Sequence, residues 1–385
     1  MKPSYTGNSQ PKNDVINQHC KLSVIIPCYN EELTLERCVS RVQSITNDWL
    51  SVEIIIVDDC STDSSLQIAR KLANKHDSLE VLAQKHNMGK GAALRAGFAR
   101  ATGDIVTIQD ADLEYNPADY LRLVRPIMEG KADVVYGSRY RKDEPRRVLY
   151  YWHSCMNRLL THFSNMFTDL DLTDMETCYK LFRRDVIQSL DLKENRFGFE
   201  PEVTVKIAQA RLKIYEMGVS YQPRTYEEGK KIGWKDGIRA IYCIMHYGGP
   251  KAPLPLQALI YLIIGGAAAV FNIMVFMLLH NMGIQVPLSA AIAYFLAAGV
   301  NYFLCIAILF RHKARFSLPG ELSAYLLIIL FSGITDIALT SLLVIQAGMT
   351  PLWAKIIATI SVFIINFLGR KYYVFKELPP GPWKT

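Results

Sequence analysis

The eight cysteines, at 20, 28, 38, 60, 155, 178, 243 and 305, include no Cys-x-x-Cys pair and have no histidines at zinc spacing. Neither a metal ribbon nor a disulfide scaffold is expected, and reduced thiols facing a cytosol are the plain reading. Residues 1–20 are polar and lack an apolar core, so a disordered tail without a secretory leader is expected there. Glycine-rich nucleotide loops are missing too: Gly89-Lys90-Gly91 fits neither the Walker spacing with its Ser/Thr nor Gly-x-Gly-x-x-Gly. Acidic residues are scarce in one region. Of 385 residues, those up to 255 hold 35 Lys+Arg against 33 Asp+Glu, whereas the remainder hold 8 against 3. Most of the net charge of +7 therefore lies in the last third. That is not the basic stripe of a nucleic-acid binder, and no nucleic acid is expected as a partner; it is charge kept beside a membrane.

What the last third does have is apolar length. After Pro253-Leu254-Pro255 come four runs, about 256–280, 288–310, 322–346 and 352–369, the first two without any Asp, Glu, Lys or Arg. Each is long enough, at about 1.5 Å per residue, to cross a hydrocarbon core of about 30 Å. The connections His280–Val286 and Ala347–Thr350 carry no Lys or Arg, while Lys251, Arg311, Lys313, Arg315, Arg370, Lys371 and Lys376 share the other side. The positive-inside rule then puts both termini and the N-terminal domain in the cytoplasm, as part of a multi-pass membrane protein. The runs read as two duplicated hairpins: Asn301-Tyr302 and Asn366-Phe367 each precede a phenylalanine nine residues past the asparagine. Asp336 and Lys355 fall within spans, where a charge seeks a partner, so a pair between them is expected.

Before the membrane third, Lys21–Pro27 and Ser51–Val57 are short β-branched runs, each followed by a polar turn and a helical pattern (Glu31–Gln43, Ser64–Lys75). Glu80–Ala83 and Asp104–Gln109 continue the alternation. Such βαβ repetition predicts an α/β domain with a mostly parallel sheet and its site at the carboxyl ends of the strands. The chemistry-bearing residues stand there: Pro27-Cys28-Tyr29-Asn30-Glu31, Asp58-Asp59-Cys60-Ser61 and Asp110-Ala111-Asp112-Leu113-Glu114. Asp-x-Asp places two hard oxygen ligands together, which suits Mg²⁺ or Mn²⁺ bridging a nucleotide diphosphate.

Val-Ile-Ile-Pro-Cys-Tyr-Asn-Glu, Val-Asp-Asp-Cys-Ser and Asp-Ala-Asp resemble the family 2 glycosyltransferases of GT-A fold, over about residues 21–247. The likeness is to the branch holding dolichol-phosphate mannosyltransferase and the undecaprenyl-phosphate glucosyltransferases called GtrB. The hairpin repeats resemble the GtrA-like four-helix membrane domain, although Cys305 stands where that pattern often has arginine. The resemblance implies domains at 21–223 (GT-A), 224–255 (a basic juxtamembrane segment with an amphipathic helix over Asp236–Tyr247) and 256–376 (membrane), with a tail at 377–385. It implies that Pro27, Tyr29, Glu31, Val57, Asp59, Lys90, Asp110 and Ala111 hold the nucleotide sugar. Asp110, Asp112 and Glu114 would surround the metal, and Asp112, Arg139 and Arg224 would serve catalysis. Arg139, Arg224, Lys230 and Lys231 would bind the lipid phosphate. Thr177 and Lys180 in Asp171–Lys180 would point at the site, and Glu200 or Glu202 falls where relatives carry a catalytic base, or caps a helix.

The implied activity is inverting, metal-dependent transfer of a hexose, with mannose slightly favoured, from GDP-mannose or a UDP-hexose to a polyprenyl phosphate at the cytoplasmic membrane face. Two other readings stay open: the same fold with a different acceptor, and a non-catalytic protein that recruits or flips lipid-linked sugar. A processive synthase is disfavoured because Gln-x-x-Arg-Trp is missing. A homo-oligomer is compatible with the sequence.

Overall fold

The computed structural model describes residues 19–141, 147–148, 150–223, 234–310 and 318–374. Most of the expected tail at 1–20, and all of that at 377–385, lie outside them. The chain divides into two compact units, the first running to Ile244 and the second from Met245.

The first unit is built on seven strands: β1 Cys20–Cys28, β2 Leu50–Asp58, β3 Leu79–Ala83, β4 Ile105–Ile108, β5 Val134–Ser138, β6 Lys180–Arg183 and β7 Ile214–Gly218. Their order is β3-β2-β1-β4-β6-β5-β7. All neighbours run parallel except β6, which is antiparallel to both β4 and β5. The mostly parallel α/β sheet expected of a GT-A domain is therefore present. Cys20 faces Leu50 and Cys28 faces Asp58, so β1 and β2 end level and deliver their polar turns to the same edge. β1 and β2 are buried almost throughout, as a sheet covered on both faces requires.

The turns leaving β1, β2 and β4 share one backbone device. Asn30, Cys60 and Leu113 all adopt left-handed conformations, with φ of 54°, 64° and 63°. Asparagine tolerates that region; for leucine it costs about 1–2 kcal/mol. Leu113 is held there by packing of its side chain on the core.

Gly89 and Gly91 have a packing role in place of the phosphate-loop role excluded by their spacing. A Cβ on Gly89 would lie 2.5 Å from the Asn195 carbonyl oxygen, and one on Gly91 about as close to that of Glu194. Gly89 also has φ of 95°. Only glycine lets the helix Lys90–Arg100 start against that backbone, and this fixes Lys90.

The second unit holds four helices, Leu254–Asn281, Val286–Leu304, Leu318–Ile345 and Pro351–Gly369. The second and fourth continue as π-helical turns, Cys305–Phe310 and Arg370–Val374. The duplication read from the two asparagines is thus repeated in backbone geometry. Among the described residues, Leu254–Leu279 is the stretch long and apolar enough by itself to cross a membrane, with mean hydropathy 2.4. The side chains of Asp336 and Lys355 lie outside what is described, and so does the pair expected between them.

Candidate active site

A cleft of about 1110 Å³ opens at the carboxyl ends of β1, β2 and β4, entirely within the first unit. Pro27, Tyr29, Glu31, Asp59, Lys90, Asp110, Ala111, Asp112, Glu114 and Arg139 all line it. With Glu200, the structure therefore brings together eleven residues drawn from segments more than 100 positions apart. Val57 does not join them: it is fully buried in β2, between Pro27 and Leu82. Arg224, Lys230 and Lys231 lie outside the described residues.

The carboxylates differ in what holds them. Asp59 is buried and accepts from the Met88 and Gly89 amides, both at 2.7 Å, so it shapes the loop that carries Lys90. Asp110 receives the Lys90 ammonium at 2.9 Å, and the same ammonium lies 3.2 Å from Glu200. Burial alone would lower the Lys90 pKa; the charges of Asp110 and Glu200 reverse this and hold it well above the usual lysine value. Asp112 Oδ1 accepts from the Glu114 amide at 3.2 Å. Glu114 Oε2 accepts from the Tyr221 hydroxyl at 2.6 Å.

Tyr221 heads a column of rings. Tyr120 stacks on Tyr179 and Tyr179 on Tyr115, each at 4.5 Å, and Tyr115 leans on Tyr221 at 5.0 Å. The Arg139 guanidinium caps the column, 5.3 Å from the Tyr221 ring centre. Burial pushes the Tyr221 phenol upward, opposed by Arg139 and helped by Glu114, so it remains a donor. Arg139 makes a two-pronged pair with Asp174 at 2.7 and 2.8 Å, and its own amide donates to Asp174 at 3.0 Å. Desolvation opposes the guanidinium's charge and Asp174 more than restores it. Arg139 thus meets the cleft as a cation already partly neutralised.

A further expectation needs correction. Thr177 and Lys180 do not reach the cleft: both are fully buried, and the Lys180 ammonium donates to the carbonyls of Met175 and Thr177. Lysine that deep holds the Asp174–Lys180 turn in shape, and burial lowers its pKa despite Glu200, Glu176 and Asp174 nearby. Glu200 and Glu202 also part company. Glu202 accepts from the Lys193 and Glu194 amides at 2.7 and 2.8 Å and from Lys206 at 2.6 Å, a structural role. Glu200 faces the cleft with one buried oxygen, Oε2, lacking a partner.

Glu176 is the residue that sequence reasoning passed over. It lines the cleft, its Oε1 is buried without a hydrogen-bond partner, and burial plus the neighbouring Glu200 charge push its carboxyl to about 8. Lys180 and Arg139 pull the other way and do not prevail. Its only signal in sequence is a third acid between Asp174 and Thr177. Because the folded chain keeps a proton that an unfolded one releases above 4.5, this group's contribution to stability falls as pH rises from about 4.5 to 8. Glu176→Gln has no such loss. The melting temperature of the variant relative to wild type is expected to rise between pH 5 and pH 8 and level off above; a constant difference would show that Glu176 ionises normally.

The strand-end cleft of this α/β domain thus gathers several carboxylates beside a half-buried lysine and an arginine. Residues 23–191 match Glycosyl transferase family 2, and residues 260–375 match the GtrA/DPMS transmembrane domain. The chain therefore couples a family 2 glycosyltransferase domain to a GtrA/DPMS membrane domain. It is similar to the dolichol-phosphate mannosyltransferase of Pyrococcus furiosus, 28% identical over 60% of this chain and 65% of that one. It is also similar to the undecaprenyl-phosphate 4-deoxy-4-formamido-L-arabinose transferase of Aeromonas hydrophila, 29% identical over 67% and 76%. The chain spans between 33% and 65% of the length of the first three curated relatives it matches. Among solved structures, glucosyl-3-phosphoglycerate synthase of Mycobacterium tuberculosis, with Mn²⁺, UDP and glucosyl-3-phosphoglycerate, superposes with a TM-score of 0.48, at 19% identity, covering 64% of this chain and 88% of that one.

Proposed function

We propose that the chain transfers a hexose from a nucleotide sugar to a polyprenyl phosphate at the cytoplasmic face of a membrane it spans several times. The observation that carries this reading is the cleft: Asp110, Asp112 and Glu114 on one wall, Lys90 and Arg139 beside them, in a chain that also holds a GtrA/DPMS membrane domain. The relatives' names, one a dolichol-phosphate and one an undecaprenyl-phosphate transferase, support the acceptor class. The cleft mouth supports it further. Among the residues lining the cleft, Tyr151 and Trp152 stand 72% and 81% exposed, and Ile238, on the helix Trp234–Gly248, stands 58% exposed. That helix buries Ala240, Cys243 and Ile244 and ties Arg239 to Glu194 at 2.8 Å, leaving Ile238, Ile241 and Tyr242 outward. An outward apolar face of this kind suits the headgroup boundary of a bilayer.

The donor set fits a hard divalent cation. No group of three His, Cys, Asp or Glu side chains converges as a ready-made cage among the described residues. Mg²⁺ commonly uses one or two carboxylates and takes its remaining oxygens from substrate phosphates, so Asp112 with Asp110 or Glu114 is sufficient. When bound, the ion would neutralise the diphosphate and the charge that gathers on it as it leaves.

The rest is done by the chain's own residues. A phosphate monoester has its second pKa near about 6, so the acceptor oxygen is already anionic and needs positioning more than deprotonation. It attacks the anomeric carbon; the bond from that carbon to the diphosphate breaks and the electron pair leaves on the nucleoside diphosphate, inverting the centre. Lys90 and Arg139 supply the positive field between two repelling anions. Glu114, steered by Tyr221, and Asp59, through its loop, set the register of donor contacts.

Purified full-length protein in lipid should release nucleoside diphosphate from one of GDP-mannose, UDP-glucose or UDP-N-acetylglucosamine only when a polyprenyl phosphate is added. The identified lipid product names the sugar. Equal release without the lipid would overturn the acceptor, and no release from any donor would overturn catalysis.

A further inference from the structure

Arg370 is a buried cation with too few partners. It follows the fourth helix of the second unit, is only 6% exposed, lies beside the Cys305 thiol, and among the described residues makes one hydrogen bond within normal geometry, from Nη1 to the Asn301 side-chain oxygen at 2.6 Å. Its guanidinium lies 4.5 Å from the Tyr325 ring centre and 5.3 Å from that of Tyr261. Tyr261, Asn301 and Tyr325 belong to the first, second and third helices, so one side chain at the end of the fourth touches all of them. None of these contacts is a carboxylate, and Nε is buried without a partner.

A latch between helices would not need this arrangement. A guanidinium has five donors in a planar fork, and a buried charge without a counterion is among the costliest features a membrane protein can keep. Two ring faces and a neutral amide soften that cost without matching the charge or the Nε donor. The internal repeat sharpens the point. Arg370 stands four residues past Asn366, and the residue four past Asn301 is Cys305, a buried neutral thiol 3.8 Å from the same Asn301 oxygen. Asn366 instead accepts from Ser332 at 2.9 Å. Of two equivalent positions in a duplicated bundle, one carries a cation.

Depth identifies the anion class. The helix Pro351–Gly369 has 19 residues, about 28 Å at 1.5 Å per residue, which is close to the thickness of a hydrocarbon core. Arg370 then sits at the level of lipid phosphates. We infer that Arg370, framed by Tyr261, Asn301 and Tyr325, is a binding site for a phosphate anion, of the kind carried by a lipid headgroup. The inference rests on the membrane reading of the second unit and is independent of the sugar-transfer reading.

The test uses the full-length protein in phosphatidylcholine nanodiscs, titrated either with phosphatidic acid or with inorganic phosphate, following thermal unfolding and lipid retention by native mass spectrometry. Phosphatidic acid is expected to raise the melting temperature of wild type and to be retained at one site. Arg370→Gln should need at least about tenfold more phosphatidic acid for the same effect. Inorganic phosphate giving the full shift alone would assign the anion to solution in place of a lipid. No shift with either, or an undiminished shift in Arg370→Gln, overturns the site. Should that variant not fold, Asn301→Ala keeps the cation and removes its hydrogen-bond acceptor among the described residues: the ligand-free protein should melt lower while the phosphatidic acid shift persists, and loss of the shift would mean that Arg370 is a latch. Sugar transfer is not the readout, so either result leaves the cleft's activity to its own test.

Discussion

Asp112→Ala is expected to lower sugar transfer by at least about 10²–10³-fold, the scale seen when one fixed group that stabilises transition-state charge is removed. Asp112 lines the cleft and lies between Asp110, which the Lys90 ammonium already occupies, and Glu114, which Tyr221 holds. Its Oδ1 accepts from a backbone amide of its own turn, Glu114 N–H at 3.2 Å. Its place between them in Asp-x-Asp-x-Glu makes it the natural second ligand for a cation shared with Asp110 or Glu114. A chelator should reproduce the loss and added Mg²⁺ or Mn²⁺ should reverse it. Undiminished transfer in the chelator, with Asp112→Ala also active, would remove the metal from the mechanism.

Arg139→Ala should strongly destabilise the first unit. The guanidinium and Asp174 are 10% and 0% exposed, and deletion of one partner strands the other in the core. Breaking a buried pair this way typically costs about 3–5 kcal/mol, which for a domain of this size is a fall in melting temperature of about 6–20 °C. Asp174 would also lose its part in ordering the turn that presents Glu176. Removing both charges, as Arg139→Met with Asp174→Leu, should recover a large part of the loss, because no buried charge is left alone. A single variant that melts with wild type would mean that solvent reaches the pair, and that Arg139 is available to substrate as a full cation.

The strand ends were legible because parallel strands advertise themselves as unbroken apolar runs and because polar residues crowd immediately after them. The membrane third was legible for the same kind of reason, from the length of its apolar runs. What a one-dimensional pattern does not carry is the direction of a side chain within a turn. Thr177 and Lys180 stand beside Glu176 in sequence, yet the lysine turns inward to two carbonyls while the glutamate lines the cleft. The same holds for Glu200 and Glu202, two residues apart on one helix, one facing the cleft and one capping the 193–194 amides. Contacts across long stretches are still harder to foresee. Nothing local announces that Tyr221 will meet Glu114, or that Arg370 will find Asn301 at a separation of 69 residues.

Leu113 has a wider meaning than its own torsion angle. Two carboxylates flank a leucine whose backbone is kept in a disfavoured basin by the grip of the hydrophobic layer on its side chain. The spacing of the acids is thereby tuned from behind, like a peg tightened from the back of an instrument. Conservative swaps among aliphatic residues beneath β4, remote from any ligand, should then surface as altered turnover and donor affinity.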